Sequence, residues 1–445
     1  MSLDRQVFDA GVVGAGGAGF PTYKKLVGGA NLLVVNAAEC EPLLASDRYL
    51  MRHSADRIVA GIMAVVKQTG IPRVIFGTKT HYGREITAVQ AAIDAAHADI
   101  TIQGVDSFYP AGDEQTLVYE LTGQTVPPGG IPLDIGVVVM NVASLAAVAD
   151  AADGKPVTRR LVTVTGEVAH PVVVDAPIGS TAADLIAAAG GVCVDPYVIV
   201  VGGPMMGKHH PESDAATLGF GKADGGLIVL PADHSLVKFV AKPIELLLAE
   251  TKSMCIQCEM CTQLCPRFLI GHQIRPHRVM RSLQTGTDPV ALEDSLLCCE
   301  CGICELYSCP MGLSPRRIQI YAKGLLRAQG VRVHDQVVHE EHTEWRPNRK
   351  IDQSRFIDRL QLTAYPTTVD DSVRLDPVEV RLATRHGVGQ AATPCVKAGD
   401  SVTIGQVVAE VAFGDVGAPV HASINGRVVE VDASHITIRQ EGSKQ

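Results

Sequence analysis

Nine of the 12 cysteines in this chain of 445 residues fall between Cys255 and Cys309, and their spacing restricts the fold more than any other feature. The first run is Cys255-x2-Cys258-x2-Cys261-x3-Cys265-Pro266, and the second is Cys298-x2-Cys301-x2-Cys304-x4-Cys309-Pro310. Three thiols at three-residue intervals can curl around one corner of an iron–sulfur cubane. The fourth leaves on a separate turn, and the proline redirects the chain. Zinc sites more often use two separated cysteine pairs, whereas soft thiolates in this pattern suit iron. The runs therefore point to two 4Fe–4S clusters. The N-terminus, MSLDRQVFDAGVV, shows no basic region followed by an apolar one, so no signal peptide is expected. Clustered cysteines in a reducing cytoplasm signify metal in preference to disulfide.

In bacterial ferredoxins with this spacing, the fourth cysteine of each run binds the other cluster. That rule assigns Cys255, Cys258, Cys261 and Cys309 to one cluster, and Cys298, Cys301, Cys304 and Cys265 to the other. Cys299 is left over and reads as a buried free thiol, with a ligand swap with Cys298 as the alternative. Cys40, Cys193 and Cys395 are isolated and read as structural thiols. His272 and His277 read as solvated helix residues, the alternative being groups that tune a cluster.

The rest of the chain divides by pattern. Residues 1–155 alternate glycine-rich turns, apolar runs and alanine-rich stretches. Asn31–Asn36, Arg73–Gly77 and Gly136–Asn141 read as buried parallel strands, and Ser54–Thr69 and Gly83–His97 as helices between them, an α/β layer. Residues 156–240 read as a small mixed domain, with a helix Thr181–Ala189 capped by Ser180. Residues 241–330 are helical and hold the cysteines. Residues 331–375 are polar and read as a linker or surface wrap. Residues 376–445 read as short strands, with Asn425–Gly426 as a hairpin signal. The best membrane candidate, Ile135–Ala152, contains Asn141, Ser144 and Asp150, so no transmembrane segment is expected. A net charge of -9 argues against a nucleic-acid partner, which usually meets a basic face.

Gly14-Ala15-Gly16-Gly17-Ala18-Gly19 satisfies the G-x-G-x-x-G pattern, and Glu39 follows the next strand. Yet Phe20-Pro21-Thr22 follows the glycines at once, where a dinucleotide fingerprint would open a helix. The glycines still imply that backbone must approach a flat or anionic ligand closely.

Four segments carry a wider resemblance: Gly14–Leu26 (GAGGAGFPTYKKL), Asn36–Pro42 (NAAECEP), Tyr109–Leu117 (YPAGDEQTL) and Asn141–Leu145 (NVASL). They resemble, in order, the flavin iron–sulfur proteins that include the NADH-binding flavoprotein of respiratory complex I, the RnfC component of the Rnf complex, and the cobalamin reductases of propanediol-utilisation microcompartments. The resemblance implies a Rossmann-like FMN/NADH domain in which Gly16, Gly17 and Gly19 let the backbone touch FMN and Lys25 pairs with its phosphate. Asn36, Asn141 and Ser144 would bond the ribityl and phosphate end, and Glu39 and Glu41 would line the cavity. Phe20 and Glu114 would help place NADH, Glu114 serving as the catalytic residue. The complex I flavoprotein has an acidic residue where this chain has Ala38, and Thr where it has Ser144.

Residues 158–240 resemble the β-grasp (SLBB) module of these families, and 380–440 a biotinyl/lipoyl-like barrel-sandwich hybrid with no lysine at its hairpin tip. In RnfC the barrel-sandwich precedes the flavin domain. Here it follows the clusters, as in the cobalamin reductase. The resemblance thus implies a multidomain α/β oxidoreductase that passes single electrons from NADH, by way of FMN and two 4Fe–4S clusters, to a cobalamin or a corrinoid-handling enzyme. Its place would be cytoplasmic, inside a bacterial microcompartment, with a shell protein as a further partner. The alternatives are an RnfC-like protein exchanging electrons between NAD(H) and a protein partner, and an electron wire without catalysis of its own.

Overall fold

The computed structural model describes residues 1–286, 289–333 and 340–442. Near the N-terminus, four parallel strands stand in the order Thr101–Val105, Val74–Lys79, Leu32–Ala37, Val137–Asn141. The strand Leu32–Ala37 is central, and its alternation decides the layers. Leu33 and Val35 pack with Ile58, Ile62 and Leu145 on one face, and Val34 packs with Leu117 and Leu121 on the other. Each such fully buried aliphatic side chain stabilises the layer by about 1.5–3 kcal/mol. Helices Ala55–Thr69 and Val142–Ala152 cross closely because Gly61 lies against the Leu145 backbone, where a Cβ has no room. Strands Leu32–Ala37 and Val137–Asn141 run in register to the paired Asn36 and Asn141, so both asparagines emerge at the carboxyl edge, the usual ligand edge of a parallel sheet.

The second unit is a six-stranded sheet ordered Ser372–Arg374, Val172–Pro177, Arg159–Gly166, Gly226–Pro231, Tyr197–Val201, Lys208–Pro211. Its helix, Ala182–Ala188, is capped by Thr181, not Ser180. The Thr181 hydroxyl accepts from Asp184 N, and the Asp184 carboxylate accepts from Thr181 N in a reciprocal capping box. Segment 331–375 takes part in both units. Ser372–Arg374 extends the six-stranded sheet, and Ile351–Asp352 pairs with Phe108–Tyr109 beside the N-terminal domain. Helix Gln353–Arg359 buries Phe356 between them. Residues 334–339 of that segment lie outside the described ones.

The cysteine region is built on helices Ile244–Met254, Pro276–Thr285 and Pro315–Ala328. The C-terminal unit is a four-stranded and a three-stranded sheet, closed over a core that includes Val380, Leu382, Val408, Val428 and Ile438. Asn425–Gly426 is not a hairpin turn there. Asn425 Oδ1 accepts from Ile404 N at 2.7 Å, and Gly426 opens the strand that crosses to the other sheet. The hairpin turns instead at Asp432–Ser434, where Asp432 Oδ1 accepts from Ser434 N and His435 N. Among the described residues no helix is long and apolar enough to cross a membrane.

Candidate functional site

At the carboxyl edge of the parallel sheet lies a cavity of about 340 Å³, within the range of about 300–1,000 Å³ typical of small-molecule sites. Gly16, Phe20, Lys25, Asn36, Glu39, Glu41, Glu114, Asn141 and Ser144 all line it. Gly17 and Gly19 do not. Gly17 stands exposed at the loop tip, and a Cβ on Gly19 would come 2.6 Å from the His386 carbonyl oxygen. The crowding that requires glycine at position 19 thus comes from the C-terminal unit. A larger cleft of about 660 Å³ opens behind the loop, between helix Ser46–His53 and the six-stranded sheet. It touches no cysteine, whereas Cys299 and Cys301 stand in the wall of the smaller cavity. The chemistry belongs to the smaller one.

Local bonding fixes the cavity. The Ser144 hydroxyl oxygen accepts from Ala15 N at 2.9 Å, and Arg160 Nη2 donates to Ala15 O at 2.8 Å, so the base of the glycine loop is held from two sides. Asn141 Oδ1 caps helix Val142–Ala152 through Ala143 N, and its Nδ2 donates to Asp47 at 2.6 Å. Asn36 Nδ2 donates to Gly112 O at 2.9 Å. Lys25 Nζ meets Glu114 Oε1 at 3.0 Å and Val139 O at 2.9 Å. A lysine ammonium has three donors, so one remains for a ligand. The Ser144 proton likewise remains free to donate. A lone partly engaged cation, a free hydroxyl proton, a helix N-terminus at Asn141 and an apolar floor of Val139 and Met140 fit an anionic aromatic group such as FMN.

The acidic side of the cavity is unusual. Burial, reinforced by Asp47, pushes the Glu39 carboxyl up to about 7, and burial pushes Glu41 up to about 8 from an ordinary 4.5. Glu41 accepts from Met205 N at 2.9 Å, and Tyr109, 3.5 Å from Glu41, donates to the Cys301 carbonyl at 2.7 Å. Near pH 7 both carboxyls thus carry less negative charge than ordinary glutamates. A carboxyl held above its ordinary value favours the folded state at low pH, and that contribution is lost as pH rises through about 7 to 8; an anionic ligand then also meets added negative charge in the cavity wall. FMN affinity is expected to fall about tenfold between pH 6 and pH 9, with Glu41→Gln flattening the profile. Fluorescence titration of flavin-free protein reads both.

The cysteines form two chambers. One is ringed by Cys255, Cys258, Cys261 and Cys309, the other by Cys265, Cys298, Cys301 and Cys304 together with Cys299. Among the described residues, no three His, Cys, Asp or Glu side chains converge as they would on one metal ion. A cubane offers its irons at separate corners, so its thiolates stand apart around a chamber. Gln257, Glu259 and Glu300, each between two of the thiols, all have positive φ, an uncommon state for such residues. Glu300 N donates to Cys298 Sγ at 3.3 Å and Gln257 Nε2 to Cys255 Sγ at 3.1 Å, the support an iron-bound thiolate takes. Burial pushes the Cys261 and Cys298 thiols up to about 12, so they ionise in these chambers only against compensating positive charge, which iron supplies. The donor set fits two clusters.

The chambers are in series. Cys299 and Cys301 line both the cavity and the second chamber, while the first chamber touches the cavity nowhere and has Cys258 exposed. His272 is buried with Nε2 on Val126 O at 2.9 Å, and His277 is bonded to Thr262 at 2.8 Å. Neither is a solvated helix residue, because both tie the cysteine turns to their surroundings. Asp47, Tyr109 and Arg160 also build the site, and sequence reasoning did not single them out. Only Tyr109 had a signal, as the first residue of YPAGDEQTL.

A small-molecule cavity at the edge of a parallel sheet, sharing a wall with the inner of two four-cysteine chambers, defines an iron–sulfur flavoprotein oxidoreductase. Residues 7–150 match the Nuo51 FMN-binding domain, 161–208 the SLBB domain, 254–314 a 4Fe-4S dicluster domain and 372–444 the RnfC barrel sandwich hybrid domain. The chain is 39% identical over 445 residues to cobalamin reductase PduS of Citrobacter freundii, covering 98% of this chain and 96% of that one. It is 38% identical over 442 residues to PduS of Salmonella typhimurium, with the same coverages. The C component of the ion-translocating oxidoreductase complex of Erwinia tasmaniensis is 37% identical over 279 residues, 61% of this chain and 33% of that one. The chain belongs to the PduS cobalamin reductase family.

Proposed function

We propose that this chain is an NADH-dependent cobalamin reductase that takes electrons at the flavin cavity and releases them at the outer cysteine chamber. The observation that carries the reading is the wall formed by Cys299 and Cys301, common to the cavity and the inner chamber. When bound, FMN converts a two-electron donor into single-electron steps, and 4Fe–4S clusters carry electrons singly. The chain's own residues do the rest. Lys25, Asn36, Asn141 and Ser144 bind the anionic end of the flavin, and the Gly16 backbone admits the ring. Phe20 and Glu114 orient the nicotinamide over it. Glu39 and Glu41, their charge reduced by burial, close the far side.

On the same reading the corrin meets the outer chamber. Around the exposed Cys258 stand Met254 at 40%, Ile256 at 63% and Met260 at 38% exposure, an apolar rim beside a ligand cysteine. Ile256→Glu is expected to keep iron and flavin and to slow cobalamin reduction roughly tenfold, about 1.4 kcal/mol in the barrier. Rapid-mixing absorbance of the corrin measures it. The reading also puts the protein in the cytoplasm inside a bacterial microcompartment, beside a corrinoid-handling enzyme and a shell protein, and rests there on family resemblance.

The test uses the anaerobically purified chain with NADH and cob(III)alamin. Formation of cob(II)alamin by this chain alone is the expected result. Turnover that appears only after a protein partner is added would instead favour the RnfC-like alternative, and protein without bound flavin would leave the electron-wire reading.

A further inference from the structure

The barrel-sandwich unit has no role in the chemistry above. Its position gives it another use. The turn His386–Gly389 lies directly on the glycine loop of the flavin cavity. Val388 N donates to Ala18 O at 2.9 Å. Gly19 and Gly387 face each other backbone to backbone, with φ of +65° and +70°, and a Cβ on Gly387 would run into the Ala18 carbonyl. Outside this contact, Tyr23 Oη donates to Asp415 O and Lys24 Nζ to Gly414 O. Phe413 meets Phe8 edge to face and Tyr23 at a tilt, at centroid distances of 5.1 and 5.4 Å. Lys222, from the six-stranded sheet unit, donates to Gly11 O and Pro419 O at 2.8 Å each and ties the three units at one point.

We propose that the C-terminal barrel-sandwich is the outer jaw of the flavin site, and that Gly387 is a positioning residue that holds the glycine loop in its flavin-binding form. The inference rests on the FMN reading of the cavity. A loop rich in glycine has more backbone freedom to lose than any other. Ser144 and Arg160 restrain only its base, at Ala15, and Gly16 and Gly17 are exposed between that anchor and the Ala18 contact. With the tip held by the 386–389 turn, the ordering is done before the ligand arrives, which strengthens binding without a new ligand contact.

The experiment compares the full-length protein with Gly387→Ala and Phe413→Ala. Gly387→Ala puts a Cβ at a positive φ against a carbonyl and forces the turn off the loop. Phe413→Ala loosens the same interface from its far side without touching the loop, and carries the test if the first variant does not fold. The readouts are the FMN dissociation constant of flavin-free protein, iron per chain, and amide hydrogen exchange over residues 14–20. At least a tenfold weaker FMN affinity in Gly387→Ala, a smaller loss in Phe413→Ala, faster exchange in the loop and unchanged iron are expected. A lowered melting temperature with unaltered FMN affinity and exchange would overturn the proposal, since the contact would then be structural only. Failure of the wild-type chain to bind FMN would overturn the underlying cavity reading instead.

Discussion

Cys309→Ala is expected to lose about half of the roughly eight irons that two 4Fe–4S clusters hold, and to lose the same half as Cys258→Ala. Cys309 ends the second run, so a reading of each run as its own cluster would group it with Cys298, Cys301 and Cys304. The fold brings it instead to the chamber of Cys255, Cys258 and Cys261, beside Met280 and Leu313, and sends Cys265 to the other. Electron paramagnetic resonance of the dithionite-reduced variants separates the cases. Cys309→Ala and Cys258→Ala should lack one and the same signal, and Cys265→Ala the other. Because the emptied chamber is the outer one, NADH should still bleach the flavin of Cys309→Ala, while transfer to cobalamin falls by a factor of about a hundred or more, about 2.7 kcal/mol. Cys299 stands in the inner chamber, so it can substitute for Cys298 but not for Cys309. Loss of the inner-chamber signal in Cys309→Ala would sink the interleaved assignment.

Much of this arrangement was legible because its signals are local. The three-residue cysteine intervals, the apolar runs at 31–36, 73–77 and 136–141, and the break at Phe20-Pro21 each report on a few neighbouring residues. What escaped depends on residues distant in the chain. Asn425–Gly426 has hairpin propensity, yet two sheets must close over one core, and the chain crosses between them there. Ser372–Arg374 is exposed and only three residues long, too short for a strand pattern to be read, and pairing beside Val172–Pro177 makes it a strand. The resemblance puts Glu41 in the cavity wall, but its partner there, Met205 N, lies far along the chain. Gly19 fitted a ligand-approach pattern, while the crowding that requires glycine comes from His386, far along the chain. No pattern in one sequence pairs those two positions.

Lys25 and Glu114 give the second large effect, and their ion pair complicates the expectation that Glu114 serves NADH. The two side chains are 32% and 41% exposed at 3.0 Å, and a solvent-screened pair of that kind contributes at most about 1 kcal/mol. Lys25→Ala should nevertheless weaken FMN roughly 10- to 100-fold, because a hydrogen bond to a charged group contributes about 1.5–3 kcal/mol. Glu114→Gln keeps an amide oxygen for Lys25 and removes the carboxylate charge, so FMN affinity should change less than about threefold. If Glu114 orients the nicotinamide, stopped-flow bleaching of bound flavin by NADH should slow about tenfold in Glu114→Gln, while dithionite still reduces the clusters at the wild-type rate. Two other roles make different predictions. As a brace for Lys25, Glu114 would show its loss in FMN affinity, with a normal bleaching rate per bound flavin. As the first residue of helix Glu114–Thr122, next to its Asp113 cap, it would act on the helix dipole, worth about 0.3–1 kcal/mol, and only the melting temperature would move. A normal bleaching rate in Glu114→Gln would shift the nicotinamide toward Glu39 and Glu41, whose carboxyls face the same cavity.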